Sequence, residues 1–254
     1  MSELFSLKGR IALVTGSGQG IGFALAKGLA RHGARVVLNG RTAEKIDRAV
    51  AALRAEGFSA EGSVFDVVDA AAVEADVARI EKDIGPIDIA VNNAGVQFRK
   101  TLEEFPDDKW QELLQTNVTG VFNVGKAVAK RMIPRRRGKI VNIASVMSEL
   151  ARTTIAPYTT TKGAVRNLTR GMCADWARHG IQVNAIAPGF FRTEMNTALS
   201  ENPDFTAWLE KRTPAGRWGE VEELVGAAVF LASDASSFVN GHTLYVDGGL
   251  TASV

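Results

Sequence analysis

The chain has 254 residues, 46% of them hydrophobic and 23% charged, with 30 Lys+Arg against 28 Asp+Glu and a formal net charge of +2. That is a globular composition, long enough to bury a core without staples. The weak net charge gives no field for nucleic acid or an anionic membrane, and the single cysteine, Cys173, excludes an internal disulfide framework or a multi-thiolate zinc site. No apolar run approaches the roughly 18–20 residues of a membrane span, and the opening stretch lacks a signal-type apolar core, so a cytoplasmic protein with no nucleic-acid or membrane partner is expected.

Short β-branched runs predict strands over 11–15, 35–39, 60–64, 87–92, 139–144, 181–186 and 243–247. Segments of helical period lie between them, over 20–32, 42–56, 70–84, 107–132, 157–179 and 221–232. The strands show almost no polar alternation, as expected of a sheet covered on both faces. Strand–helix alternation then gives an α/β fold with a doubly wound parallel sheet, one domain over 1–254. Two irregular stretches, 146–156 and 190–219, follow strand carboxyl ends, where such sheets bind ligands. The second is long enough to form a substrate lid with short helices of its own. The basic cluster Arg131, Arg135, Arg136, Arg137 and Lys139 falls between a helix end and a strand, where cations suit the helix dipole.

The first strand runs into Gly16-Ser17-Gly18-Gln19-Gly20-Ile21-Gly22 and then a helix. Glycines let the backbone approach a pyrophosphate, and open N–H groups at a helix start favour the anion. The spacing is Gly-x-x-x-Gly-x-Gly rather than Gly-x-Gly-x-x-Gly, but the strand-before, helix-after context supports dinucleotide binding. The second strand ends in Asn39-Gly40-Arg41. A carboxylate for the ribose 2′-OH of NAD is missing, and a guanidinium able to pair with a 2′-phosphate stands next to the gap. NADP is therefore the expected cofactor, with NAD possible.

Ser145 follows the fifth strand, and Tyr158 and Lys162 lie four apart, on one face of a helix whose first turn holds Pro157. A tyrosine acting as base near neutral pH needs its pKa of about 10 lowered by about three units, and a nearby ammonium has that sign of effect.

Together with Asp66, Asn92-Asn93-Ala94-Gly95, Asn117, Pro188-Gly189 with Thr193, and Val246-Asp247-Gly248-Gly249, these motifs resemble the short-chain dehydrogenase/reductase family over the whole chain. The resemblance implies a Rossmann-type domain with seven parallel strands and helices on both faces. It implies Tyr158 as general acid/base, Ser145 polarising the carbonyl, Lys162 on the nicotinamide ribose, and Asn117 holding a water of the proton relay. For the cofactor it implies Gly16, Ser17, Gln19, Gly20, Ile21, Gly22 and Arg41 at the phosphates. It implies Asp66 and Val67 at the adenine, Asn93, Ala94 and Gly95 beside the ribose, and Pro188, Gly189, Phe190 and Thr193 at the carboxamide. It also implies a homotetramer, with the helices at 107–132 and 157–179 pairing between subunits. Thr159-Thr160-Thr161 departs from the small residues usual between the catalytic pair.

Within that family, stretches such as Ser148-Glu149-Leu150 and Phe205-Thr206-Ala207-Trp208 resemble enzymes acting on sugar acids. The residues give separate support. Arg99, Arg152 and Arg192 each follow a strand carboxyl end, where a carboxylate can be met, and Gln97 and Glu149 can bond hydroxyls. No metal is expected. The competing readings are a reductase of another ketone (a 3-oxoacyl group or another polyol), a noncatalytic dinucleotide sensor, and a structural subunit.

Overall fold

The computed structural model describes residues 3–253; residues 1, 2 and 254 of the expected domain lie outside the described residues. Seven strands, β1 (Ile11–Val14), β2 (Arg35–Gly40), β3 (Ala60–Val64), β4 (Ile87–Asn92), β5 (Gly138–Ile143), β6 (Ile181–Pro188) and β7 (Thr243–Val246), form one sheet. Their order is β3-β2-β1-β4-β5-β6-β7, and every pairing is parallel.

The central strands lack alternation because both their faces are covered, whereas edge strand β3 (Ala60–Val64) is partly exposed and edge strand β7 (Thr243–Val246) is half-buried. Val14, Val36, Leu38, Val91 and Val141 bury against α1 (Gly20–Arg31), α2 (Ala43–Ala55) and the late helix over 225–232. Their neighbours Leu13, Val37, Ala90 and Ile140 bury on the opposite face, against α3 (Ala70–Asp83) and helices over 120–135 and 156–176. The chain reverses its winding between β1 and β4. The carboxyl ends of those strands therefore splay apart into a crevice, the switch point at which such sheets take ligands.

The long helix predicted over 107–132 is divided. It forms α4 (Asp107–Leu114), a π turn (Gln115–Thr119) and α5 (Gly120–Arg135). The wide turn brings the Asn117 side chain inward, and it lets the backbone at Gly120 pass so close to Val67 that a Cβ there would lie 2.6 Å from a valine methyl. The next helix, α6, spans Ala156–Trp176 and ends in a 3₁₀ turn, Ala177–His179. On α6, Val165 and Met172 are buried in this protomer's own core, and Leu168 and Trp176 pack against it half-buried.

The 190–219 stretch carries a 3₁₀ turn (Glu194–Asn196), α7 (Thr197–Ser200) and α8 (Pro203–Arg212). Phe190 fastens it from below, edge-on to Phe205, Trp208 and Trp218, with centroids 5.5, 6.3 and 5.9 Å away. The predicted helix over 221–232 starts as a 3₁₀ turn under a Glu220–Glu223 capping box and continues as α9 (Val225–Ala232). Among the described residues, no helix is long and apolar enough to cross a membrane.

Candidate active site

A cleft of about 330 Å³ opens at the switch point. The β1–α1 turn floors one end. Gly16 adopts φ 62°, and a Cβ on it would lie 2.8 Å from the Ala94 backbone; a Cβ on Gly22 would lie 2.4 Å from the Asn93 amide. Both positions therefore require glycine for two chain segments to touch. Asn93 locks that contact, donating from Nδ2 to the carbonyls of Thr15 and Gly16 at 3.0 Å each. Thr15 Oγ1 accepts in turn from the Asn93 and Ala94 N–H groups. Helix α1 starts at Gly20 without a side-chain cap, which leaves its first N–H groups, on Gly20, Ile21 and Gly22, facing an anion site.

Gly16, Gln19, Gly20, Ile21, Gly22, Asn93, Ala94 and Gly95 line this end, and Pro188, Gly189, Phe190 and Thr193 line the other wall. Ser17 departs from expectation. Its N–H donates to Asn39 O and its hydroxyl to Val14 O, so both donors fasten the turn to the sheet and neither faces the cleft. Arg41, Asp66 and Val67 lie beyond the cleft lining. Arg41 faces Asp66 at 3.7 Å on the open surface past β2 and β3. The Val67 side chain is buried under Gly120, and its carbonyl accepts from Asn123.

Ser145, Tyr158 and Lys162 line the middle of the cleft. The Ser145 hydroxyl oxygen accepts from Met147 N–H at 3.1 Å, which orients it at the end of β5. Lys162 donates to Ile143 O at 2.7 Å, with its ammonium 5.6 Å from the Tyr158 ring centre. The expected depression of the Tyr158 pKa by this lysine is corrected. Burial pushes the phenol up to about 12, and the opposing influences are the Ser145 hydroxyl and the Arg99 guanidinium. Burial also brings Lys162 down to about 8.

Asn117 lies behind the cleft. Its Nδ2 donates to Val96 O and Thr161 Oγ1, and its Oδ1 accepts from Val96 N–H. Both amide hydrogens are thus used within the protein, and a water of a relay is left the second lone pair of Oδ1. The threonine run gains a purpose here. Thr161, fully buried, accepts from Asn117 and donates to Tyr158 O at 2.8 Å, tying the π turn to the helix that carries Tyr158.

At the substrate end, Gln97, Arg99 and Arg152 line the cleft. Gln97 Oε1 and Arg99 Nε are buried with no partner among the described residues. Glu149 is turned away, accepting from Tyr245 at 3.1 Å and pairing with Arg166 at 2.5 Å. Arg192 is also spent elsewhere, on Glu220 at 3.4 Å and over the Trp218 ring. Sequence reasoning missed Glu194 and Asn196, which reach the cleft from the 190–219 insertion. Glu194 accepts from Gln19 across the glycine turn, and Asn196 Oδ1 accepts from Arg99 at 3.4 Å. Their signal lay in tertiary placement alone. No three His, Cys, Asp or Glu side chains group as a metal site requires among the described residues.

The family model described as enoyl-(acyl carrier protein) reductase matches residues 16–251. Gluconate 5-dehydrogenase of Gluconobacter oxydans is 64% identical over 252 residues, 99% of this chain and 98% of its own length. The 5-keto-D-gluconate 5-reductase of Escherichia coli K12 is 55% identical over the full length of both. The crystal structure of a gluconate 5-dehydrogenase from Burkholderia cenocepacia, in complex with NADP and tartrate, superposes with a TM-score of 0.97 at 59% identity, covering 99% of each chain.

Proposed function

Because the chain belongs to the short-chain dehydrogenase/reductase family, we propose that it is an NADP-dependent oxidoreductase interconverting D-gluconate and 5-dehydro-D-gluconate. The observation that carries this reading is the meeting, in one cleft, of a glycine turn at an uncapped helix start, a Ser145–Tyr158–Lys162 group and two arginines that pair with no carboxylate among the described residues. The names of the Gluconobacter and Escherichia relatives supply the substrate, and the NADP and tartrate of the Burkholderia complex agree with an acidic ligand.

The residues present fit NADP. Space beside Gly20 is open, with nothing within 4 Å of where a Cβ would stand, the open N–H groups of α1 suit a pyrophosphate, and Arg41 offers a fork to a 2′-phosphate with no carboxylate at Gly40 to repel it. The nicotinamide of the bound cofactor supplies or accepts the hydride. Tyr158, protonated across the neutral range, donates its proton to the ketone oxygen in reduction and takes it back in oxidation. Ser145 donates a hydrogen bond to that same oxygen as negative charge develops there. Lys162 serves the ribose and the phenolate formed, and Asn117 anchors the proton path from behind.

Arg99 takes the substrate carboxylate. C5 and C1 of the sugar acid are four bonds apart, roughly 5 Å at about 1.5 Å per bond, and the guanidinium lies close enough to Tyr158 for their charges to influence one another. The test is oxidation of NADPH with 5-keto-gluconate beside neutral ketones of similar size. Arg99→Ala should lower kcat/KM for the acid by roughly ten- to a hundredfold, the cost of a charge-assisted pair, and leave a neutral ketone nearly unaffected. A wild type that ignores sugar acids but reduces another ketone favours the broader reductase reading. The cytoplasm and a homotetramer complete the proposal.

A further inference from the structure

The substrate end of the cleft carries more positive charge than one carboxylate neutralises. Three arginines outside the cleft lining have carboxylate partners: Arg166 with Glu149 at 2.5 Å, Arg217 with Glu223 at 2.7 Å, Arg192 with Glu220 at 3.4 Å. The two inside the cleft have none among the described residues. Arg99, from the loop after β4, has one hydrogen bond, to neutral Asn196, and a buried Nε without a partner. Arg152, from the loop after β5, makes no side-chain hydrogen bond or ion pair among the described residues; its guanidinium lies 5.5 Å from the Phe205 ring centre, a contact that leaves the N–H edge of the fork free. Among the described residues the one carboxylate lining the cleft, Glu194, accepts from Gln19 at the glycine turn and forms no ion pair with either arginine.

We propose that Arg152 forms a second anion subsite, so that the cleft takes sugar acids carrying a carboxylate at both ends. The inference rests on the sugar-acid reading above, which gives Arg99 the first carboxylate. A guanidinium fork matches one planar carboxylate bidentately, and two forks presented from two separate loops match two. The two guanidinium charges oppose each other, and both side chains are partly desolvated, so a dianion relieves more of this cost than a monoanion. The Phe205 contact further places Arg152 against α8, so the second carboxylate docks where the 190–219 insertion closes the cleft.

Calorimetry on the protein saturated with NADP tests this without turnover, using gluconate and glucarate, which share a six-carbon chain and differ in the second carboxylate. Glucarate should bind roughly tenfold or more tightly, the lower end for a charge-assisted pair. Arg152→Met should bring the ratio near one, and Arg152→Lys should restore part of it. Equal or weaker binding of glucarate by the wild type overturns the inference, whether or not the Met variant folds. So does an Arg152→Met variant that weakens both acids by the same factor, which would put both forks on one carboxylate. Tighter binding of 6-phosphogluconate than of glucarate overturns the dicarboxylate class. Failure to bind either acid removes the sugar-acid reading itself, whereas binding without a glucarate advantage removes this inference alone.

Discussion

Tyr158 keeps its proton in the folded protein because burial outweighs the hydroxyl and guanidinium that favour its anion. It is therefore ready as an acid for reduction, and Tyr158→Phe, which deletes that one oxygen, should cut turnover at least about a hundredfold while NADPH affinity holds. Near-normal turnover would remove Tyr158 from its role. Burial acts with the opposite sign of consequence at Lys139, on β5. Its pKa falls to about 8, chiefly through desolvation, partly offset by Asp234 and reinforced by Arg10. An unfolded lysine titrates near 10.4. Between about pH 8 and that value the unfolded chain binds the extra proton, so this lysine makes stability rise with pH over that window. Lys162 has the same sign, while the raised Tyr158 and Tyr245 oppose it only above about pH 10. Lys139→Met should flatten the rise between pH 8 and 10, seen as the difference from wild type in denaturant titrations. A variant whose stability tracks the wild type in parallel across that range would show that Lys139 stays charged when buried.

The turn joining β2 to α2 sets cofactor choice by what it lacks. Gly40→Asp with Arg41→Ala places a carboxylate where the ribose is expected and removes the cation, so the ratio of kcat/KM for NADP over NAD should fall. The new Cβ meets only the end of Ile46, at 3.0 Å, a flexible neighbour. A wild type that already prefers NAD would overturn this reading of the turn. Elements of this kind were legible because their chemistry is local: strands buried on both faces, a glycine turn between strand and helix, a tyrosine and lysine one helical turn apart. The π turn at 115–119 was not, since a five-residue widening leaves the 3.6-residue pattern on either side intact. The same limit explains Ser17, Glu149 and Glu194. Residue type and distance from a strand end suggested their roles or left them out, but partners far away in sequence decide where they point: Asn39, Arg166 and Gln19. Thr161 looked like a departure from pattern until the π turn placed Asn117 against it.

The whole molecule leaves a helix surface that one protomer does not cover. Along α5 the residues from Val121 to Lys130 are buried except Phe122, Lys126 and Lys130, a single stripe at i, i+4, i+8 spacing. Phe122 is 46% exposed, with Lys126 over its ring at 5.5 Å, and Lys130 is held back toward α3 by Glu74 at 2.9 Å. A large exposed aromatic at the head of such a stripe, followed by two cations that are already engaged, fits an interface better than a solvated face. On α6, Val165 and Met172 serve the protomer's own core. We therefore predict assembly through α5, with light scattering at micromolar concentration giving about four times the 27.2 kDa chain mass. Phe122→Asp should shift the population to smaller species, because it leaves a charge without a partner in a desolvated contact. Its far-UV circular dichroism should be unchanged, since Phe122 contributes little to the protomer core. A wild-type monomer would refute the assembly, and a variant that remains tetrameric would move the interface off α5.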